Sequence, residues 1–155
     1  MNRLNRLFGS LGVALVIAIV ACSDSTTAPP DIATTTFASA LNVQLGAMTK
    51  TASGLYYQDS IVGAGVAAKA GDSVTVSYIL WLPNGNRIEN GSGFKFRLGA
   101  QRVIAGWDEG IANMKVGGWR KLVVPPSLAY GNQSPGPGIP ANAILVFNVQ
   151  LVAVQ

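Results

Sequence analysis

Val103-Ile104-Ala105-Gly106-Trp107-Asp108-Glu109-Gly110-Ile111-Ala112-Asn113-Met114 is the stretch on which the fold turns. Ile104, Trp107, Ile111 and Met114 recur at helical spacing, and Gly117-Gly118 follows as a stop. This spacing predicts a helix over 103–114, the one convincing helix of the chain. On either side the apolar residues alternate instead. Ser73 to Leu82 sets Val74, Val76, Tyr78, Leu80 and Leu82 on one face, and Pro83-Asn84-Gly85 ends it in a turn. Phe94 to Leu98 is a second, shorter strand, with the stretch from Ile88 to Phe94 read as loop. Trp119 to Val124 is a strand stopped by Pro125-Pro126, and Leu128 to Ala141 is a long Gly/Pro loop. Ala143 to Val154 is the strongest strand, with Leu145, Phe147, Val149 and Leu151 facing one way. Leu55 to Asp59 is a further strand, followed by a small-residue loop from Ile61 to Gly71. Strands, one helix and more strands predict an α+β fold: a twisted antiparallel β-sheet wrapped around one short α-helix.

Working outward to the N-terminus, three parts follow one another. Arg3 and Arg6 form a positive start, Leu11 to Ala21 an uncharged, largely apolar run, and small residues lead into Cys22. The run is too short to span a bilayer as a helix and has the length of a signal-peptide core. Ser23 to Thr36 is rich in Ser, Thr, Ala and Pro, a composition that reads as a disordered tether. From Phe37 to Leu45, Leu41, Val43 and Leu45 alternate, which is compatible with a short edge strand.

Hydrophobic residues make up 49% of the chain and charged residues only 12%. Histidine is absent, which removes a histidine general base, a Ser-His-Asp triad and histidine-ligated metals. The single cysteine, Cys22, removes an internal disulfide and a cysteine-based zinc cluster. No metal and no organic cofactor are implied. The net charge of +4 includes Arg3 and Arg6, and the other cations are spread along the chain. Nucleic-acid binding asks for a concentrated basic face, so no nucleic-acid partner is expected. Gly63-Ala64-Gly65-Val66-Ala67-Ala68 loosely matches a dinucleotide fingerprint but leads into an amphipathic strand rather than a helix, and reads as loop.

Several blocks in order carry a resemblance. They are Val103 to Gly110, then Met114-Lys115-Val116-Gly117-Gly118, then Pro126-Ser127-Leu128-Ala129-Tyr130-Gly131, then Gly138-Ile139-Pro140-Ala141-Asn142-Ala143, then Leu145-Val146-Phe147. Upstream, Tyr78 with Leu82-Pro83-Asn84-Gly85 and Phe94-Lys95-Phe96-Arg97-Leu98-Gly99 extend them. Together they resemble, in order and spacing, the signature segments of FKBP-type peptidyl-prolyl isomerases, from about Thr49 to Val154. Ile19-Val20-Ala21-Cys22 is similar to a bacterial lipobox. The organisation implied is a lipoprotein signal peptide over 1–21, a lipidated Cys22 and flexible tether over 22–46, and an isomerase domain over 47–155. Ser23 after the cysteine resembles the outer-membrane sorting pattern, implying the periplasmic face of the outer membrane.

The resemblance also implies roles. Trp107 would be the floor of a proline pocket. Tyr78, Phe94, Val103, Ile104 and Phe147 would be its walls, and Ile139 its far rim. The Ile104 N–H would donate to a substrate carbonyl, and Tyr130 would supply a hydroxyl. Proline-containing polypeptides would be the substrates and macrolides the inhibitors, with the protein a monomer. The sequence departs from the family pattern at one edge: Leu80 stands where the pattern has Gly, and Ile88-Glu89 where it has Phe-Asp. The extra methylene of Glu89 moves its carboxylate by about an ångström, a displacement large enough to matter in a pre-organised site. Two functions are compatible with such a cleft. One is an isomerase for X-Pro bonds of exported proteins. The other is a non-catalytic module or chaperone that holds proline-containing segments.

Overall fold

The computed structural model describes residues 28–155. The lipobox-like stretch expected at Ile19-Val20-Ala21-Cys22 lies outside the described residues. Six antiparallel strands form one sheet: β1 (Thr49–Lys50), β2 (Tyr56–Ile61), β3 (Ser73–Trp81), β4 (Arg87–Arg97), β5 (Trp119–Val124) and β6 (Leu145–Val154). Their order across the sheet is β1-β2-β5-β6-β3-β4. The helix α1 (Ala105–Gly110) packs on the inner face, giving the expected α+β architecture.

The alternation in β3 and β6 sorts residues between two cores. Val74, Val76, Leu80, Leu145, Phe147, Val149 and Leu151 face α1 and are buried with Trp107, Ile111 and Met114. Val123, Val146 and Tyr56 face the other way and belong to a second buried cluster.

The helix is six residues long rather than the twelve that the apolar spacing suggests. The reason is competition for backbone groups. The Asn113 N–H donates to Ala68 O at 2.9 Å, and Met114 O accepts from Ala68 N at 2.8 Å. Asn113 is left-handed, with φ of 64°. The loop before β3 thus captures the peptide groups a longer helix would have used. So short a helix is not stable alone, and packing holds it. An ideal Cβ on Gly106 would lie 2.5 Å from Val124 Cγ1, and one on Gly110 would lie 2.7 Å from Leu122 Cδ2. Both glycines therefore bring the helix backbone down onto β5.

Arg120 fastens the other end of the helix. It is 7% exposed and forms a two-point pair with Asp59, at 2.7 and 2.9 Å. Its Nη1 also donates to Gly110 O at 2.8 Å and Ala112 O at 3.2 Å. One guanidinium therefore joins β2, β5 and the free carbonyls at the end of α1, and its flat face lies 4.7 Å from the Tyr57 ring centroid.

Two further expectations are corrected. Strand β4 begins at Arg87, not Phe94, and the polar stretch Asn90-Gly91-Ser92-Gly93 is strand rather than loop. It pairs along β3, with Leu80 opposite Glu89 and Tyr78 opposite Gly91, and register shifts lie on either side of this segment. As an edge strand it needs no apolar alternation.

Nor are residues 31–46 a free tether. Three single 3₁₀ turns, Ile32–Thr34, Ser39–Leu41 and Leu45–Ala47, lay the segment across the outer face, with no edge strand at 37–45. Ile32 and Leu41 are buried against Tyr56, Val123, Ile144 and Val146. Lys121 Nζ donates to Leu41 O and, at 3.3 Å, to Asn42 O. The Ala38 N–H donates to Pro83 O at 2.8 Å. Scattered apolar residues, not overall composition, decide whether such a segment docks, because each buries its own area.

Candidate functional site

A cleft of about 220 Å³ opens between α1, the β3–β4 hairpin and the loop after β5. Trp107 lies at its base, 5% exposed. Four rings surround the indole. Tyr78 is 4.9 Å away between centroids, Phe147 5.4 Å, Phe96 5.8 Å and Phe94 6.0 Å. Tyr78, Phe147 and Phe94 meet it edge-on, at interplanar angles of 79°, 74° and 75°. This edge-to-face arrangement locks the ring orientations more firmly than stacking by area alone. The indole Nε1–H is buried and meets no acceptor among the described residues.

Each wall comes from a different element. Strand β3 contributes Tyr78 and Leu80, β6 contributes Phe147, and β4 contributes Glu89 and Phe94. Val103 and Ile104 lead into α1. Ile104 is its N-terminal flanking residue, with extended backbone, and among the described residues its N–H donates to none. Tyr130 and Ile139 come from the long loop. That loop is tied back on itself: Gly131 N donates to Pro126 O at 2.9 Å, Asn142 N to Gly131 O at 2.7 Å, and Ser134 Oγ to Ile139 O at 2.6 Å. The rim stays open, with Phe94 43% and Tyr130 40% exposed.

All nine pocket residues singled out in the sequence therefore line one cleft. Cys22, the expected lipidation residue, is outside the described residues. Phe96, a ring that the resemblance would also set in the cleft, packs behind the floor instead of at the opening. Two further features carry no signal in the sequence. Arg102 lines the cleft and carries its second charge besides Glu89. Gly91, opposite Tyr78, makes the ring's position allowable: a Cβ there would sit 2.5 Å from Tyr78 Cε1. Nothing in the spacing signals Gly91, because Asn90-Gly91-Ser92-Gly93 carries no apolar alternation.

The altered edge resolves into a contact. The Tyr78 hydroxyl donates to Glu89 Oε1, so the longer side chain reaches the ring it faces. Burial and the Glu89 carboxylate together push the Tyr78 hydroxyl up to about 12. The same two causes raise Tyr130. Both phenols are neutral at physiological pH. Leu80 is buried between Glu89 and Phe147 and adds an apolar side chain to the wall.

Residues 65–152 match the family described as FKBP-type peptidyl-prolyl cis-trans isomerase. FK506-binding protein 4 of Dictyostelium discoideum is 48% identical over 103 residues, covering 65% of this chain and 28% of that protein. Among crystal structures, FkpA from Escherichia coli is 43% identical with a TM-score of 0.64, covering 70% of this chain and 52% of that one. The peptidyl-prolyl cis-trans isomerase of Pseudomonas syringae pv. tomato is 30% identical with a TM-score of 0.66, covering 76% and 86%. The chain belongs to the FKBP-type peptidyl-prolyl cis-trans isomerase family. It spans only 28% of the length of the Dictyostelium relative, which is longer than the shared domain.

Proposed function

We propose that this protein catalyses cis–trans isomerisation of X-Pro bonds in exported polypeptides, with the twisted amide held over Trp107. The observation that carries this reading is the ring box: an open, largely apolar cleft lined by neither a cysteine, a serine nor a histidine. An X-Pro bond needs none of these. Its barrier of about 18–20 kcal/mol is lost amide resonance. In the twisted state the amide loses charge separation, so an apolar surround favours it over the planar ground state. Tyr78, Phe94 and Phe147 would hold the pyrrolidine ring from the sides, with Val103 and Ile139 at the edges. The uncommitted Ile104 N–H would take a substrate carbonyl, and the Tyr130 hydroxyl at the open rim a second one. Glu89, engaged by Tyr78, would orient that ring. The names of the FK506-binding relatives support FK506-type macrolides as ligands of the same cleft.

The carrier belongs to the same proposal. Acylation of Cys22 after cleavage of 1–21 would anchor the protein to a membrane, ten positions before Ile32, the first buried residue of the outer-face segment. Its support is the lipobox pattern. Cys22→Ala should release the protein from the membrane fraction, and continued retention would count against the anchor.

The test of the site follows cis/trans relaxation of an X-Pro peptide with the full chain in detergent. Catalysis is expected, and Trp107→Leu, checked for folding by circular dichroism, should lower kcat/KM by on the order of tenfold to a hundredfold. Unchanged relaxation with the peptide bound would replace the isomerase reading with a holding role.

A further inference from the structure

We infer that Arg102 makes this cleft selective for proline segments flanked by an acidic residue. The inference rests on the proline-binding reading of the cleft. Two charged side chains line it, Glu89 and Arg102. Glu89 already accepts a hydrogen bond from the Tyr78 hydroxyl. Arg102 is exposed and makes no ion pair and no side-chain hydrogen bond among the described residues. Glu89 keeps its charge but is held against Tyr78, so Arg102 is the charged group of the cleft whose hydrogen-bonding positions are left for a peptide.

The loop presenting Arg102 is held from below. Asp108 Oδ1 accepts from the Gly99 N–H at 2.8 Å, and Oδ2 from the Gln101 N–H at 3.0 Å. Gln101 sits at φ of 55°, left-handed backbone that a non-glycine residue adopts only when its surroundings hold it there. Asp108 supplies that hold, so Arg102 is carried on a fixed turn directly before Val103 and Ile104. The two acids of the following helix are engaged outside the cleft. Asp108 is committed to the turn, and Glu109 accepts the Ser53 hydroxyl. Both acids line a separate surface recess with Gly99 and Ala105.

A guanidinium at a pocket wall matches a carboxylate by two parallel hydrogen bonds, which gives it direction as well as charge. An acidic residue next to the proline would meet it, and a lysine there would be repelled. Because Arg102 is exposed, the preference should be modest and salt-sensitive.

The test uses the full chain in detergent and a set of peptides with Glu, Ala or Lys on each side of one proline. NMR titration reads binding, and exchange spectroscopy reads isomerisation. At low salt the Glu peptide should be favoured over the Lys peptide by about three- to tenfold on one flank, shrinking in high salt. Arg102→Ala should bring the ratio near one and Arg102→Glu should invert it. A purely structural Arg102 would lower all three peptides together. Equal Glu and Lys peptides in the wild type, or the same ratio in Arg102→Glu, would overturn the inference. If no peptide isomerises faster, the isomerase reading fails, while the binding ratios still decide the role of Arg102.

Discussion

The two faces of the sheet are covered by different kinds of chain. The inner face carries α1 and the ring box, built from regularly spaced large apolar residues on strands and helix. The outer face carries the segment around Ile32 and Leu41, built from three isolated turns of which the first two bury one residue each. Inside, the packing is continuous and leaves a shaped cleft. Outside, the chain is pinned at points, by Leu41 in the second core, by Lys121 on the Leu41 carbonyl and by Ala38 on the Pro83 turn. The contrast is between a surface built to hold its shape and a cover built to stay on.

The comparison breaks hardest at Arg120. Arg120→Ala would leave the Asp59 carboxylate and the Gly110 and Ala112 carbonyls without their donor beneath the helix. Losing one member of a buried pair costs about 3–5 kcal/mol. Asp59 is 30% exposed, which places the expected loss at about 3 kcal/mol, near the low end of that range. Urea denaturation measures it. Because α1 carries Trp107, peptide turnover should fall with stability. A loss below about 1 kcal/mol would mean the pair is no more than a surface ion pair.

The outer face should respond less. Leu41→Ala removes a buried side chain at a point anchor, where the segment can partly collapse into the space. About 2 kcal/mol is expected, at the low end of core truncations. Limited proteolysis should then cut within 31–46 while the sheet survives. Because the rings lie on the opposite face, kcat/KM should change less than about twofold. A free tether would give no stability change at all, and a large fall in turnover would show that the cover positions the hairpin bearing Glu89.

The inner face was legible because its logic is periodic. Leu145, Phe147, Val149 and Leu151 alternate, and Trp107, Ile111 and Met114 recur with the helix turn, so burial follows from spacing. Tyr78, Trp107 and Phe147 fall into register with those same elements, whereas their place in a pocket, like that of Glu89, Tyr130 and Ile139, follows only from the family resemblance. What could not be read lacks a period. β4 pairs through Asn90-Gly91-Ser92-Gly93, where hydrogen bonds to β3 replace apolar pattern. The helix ends early because Ala68, far from it in sequence, takes its peptide groups. Ile32 and Leu41 stand alone among Ser, Thr and Ala, so a composition average hides them. Arg102 is a single cation in a chain of scattered cations, and only folding shows that it faces a cleft.

The smallest expected effect separates the faces by the direction of a pH slope. On the inner face, folding holds the Tyr78 proton more tightly than the unfolded chain does, with its pKa raised from 10.0 to about 12. The stabilisation is fully present below pH 10. Between about pH 10 and 12 the unfolded chain releases this proton while the folded one keeps it, so stability falls as pH rises. Tyr130 adds to the same slope. On the outer face, burial lowers Lys121 from its ordinary 10.5. There the folded state gives up its proton first, so stability rises with pH over the window just below 10.5. Denaturation curves at pH 9 to 11.5 should therefore steepen downward less in Tyr78→Phe than in the wild type. In Lys121→Met the early rise should vanish while the later fall remains. Parallel curves for all three proteins would show that neither phenol nor ammonium feels the surface that buries it.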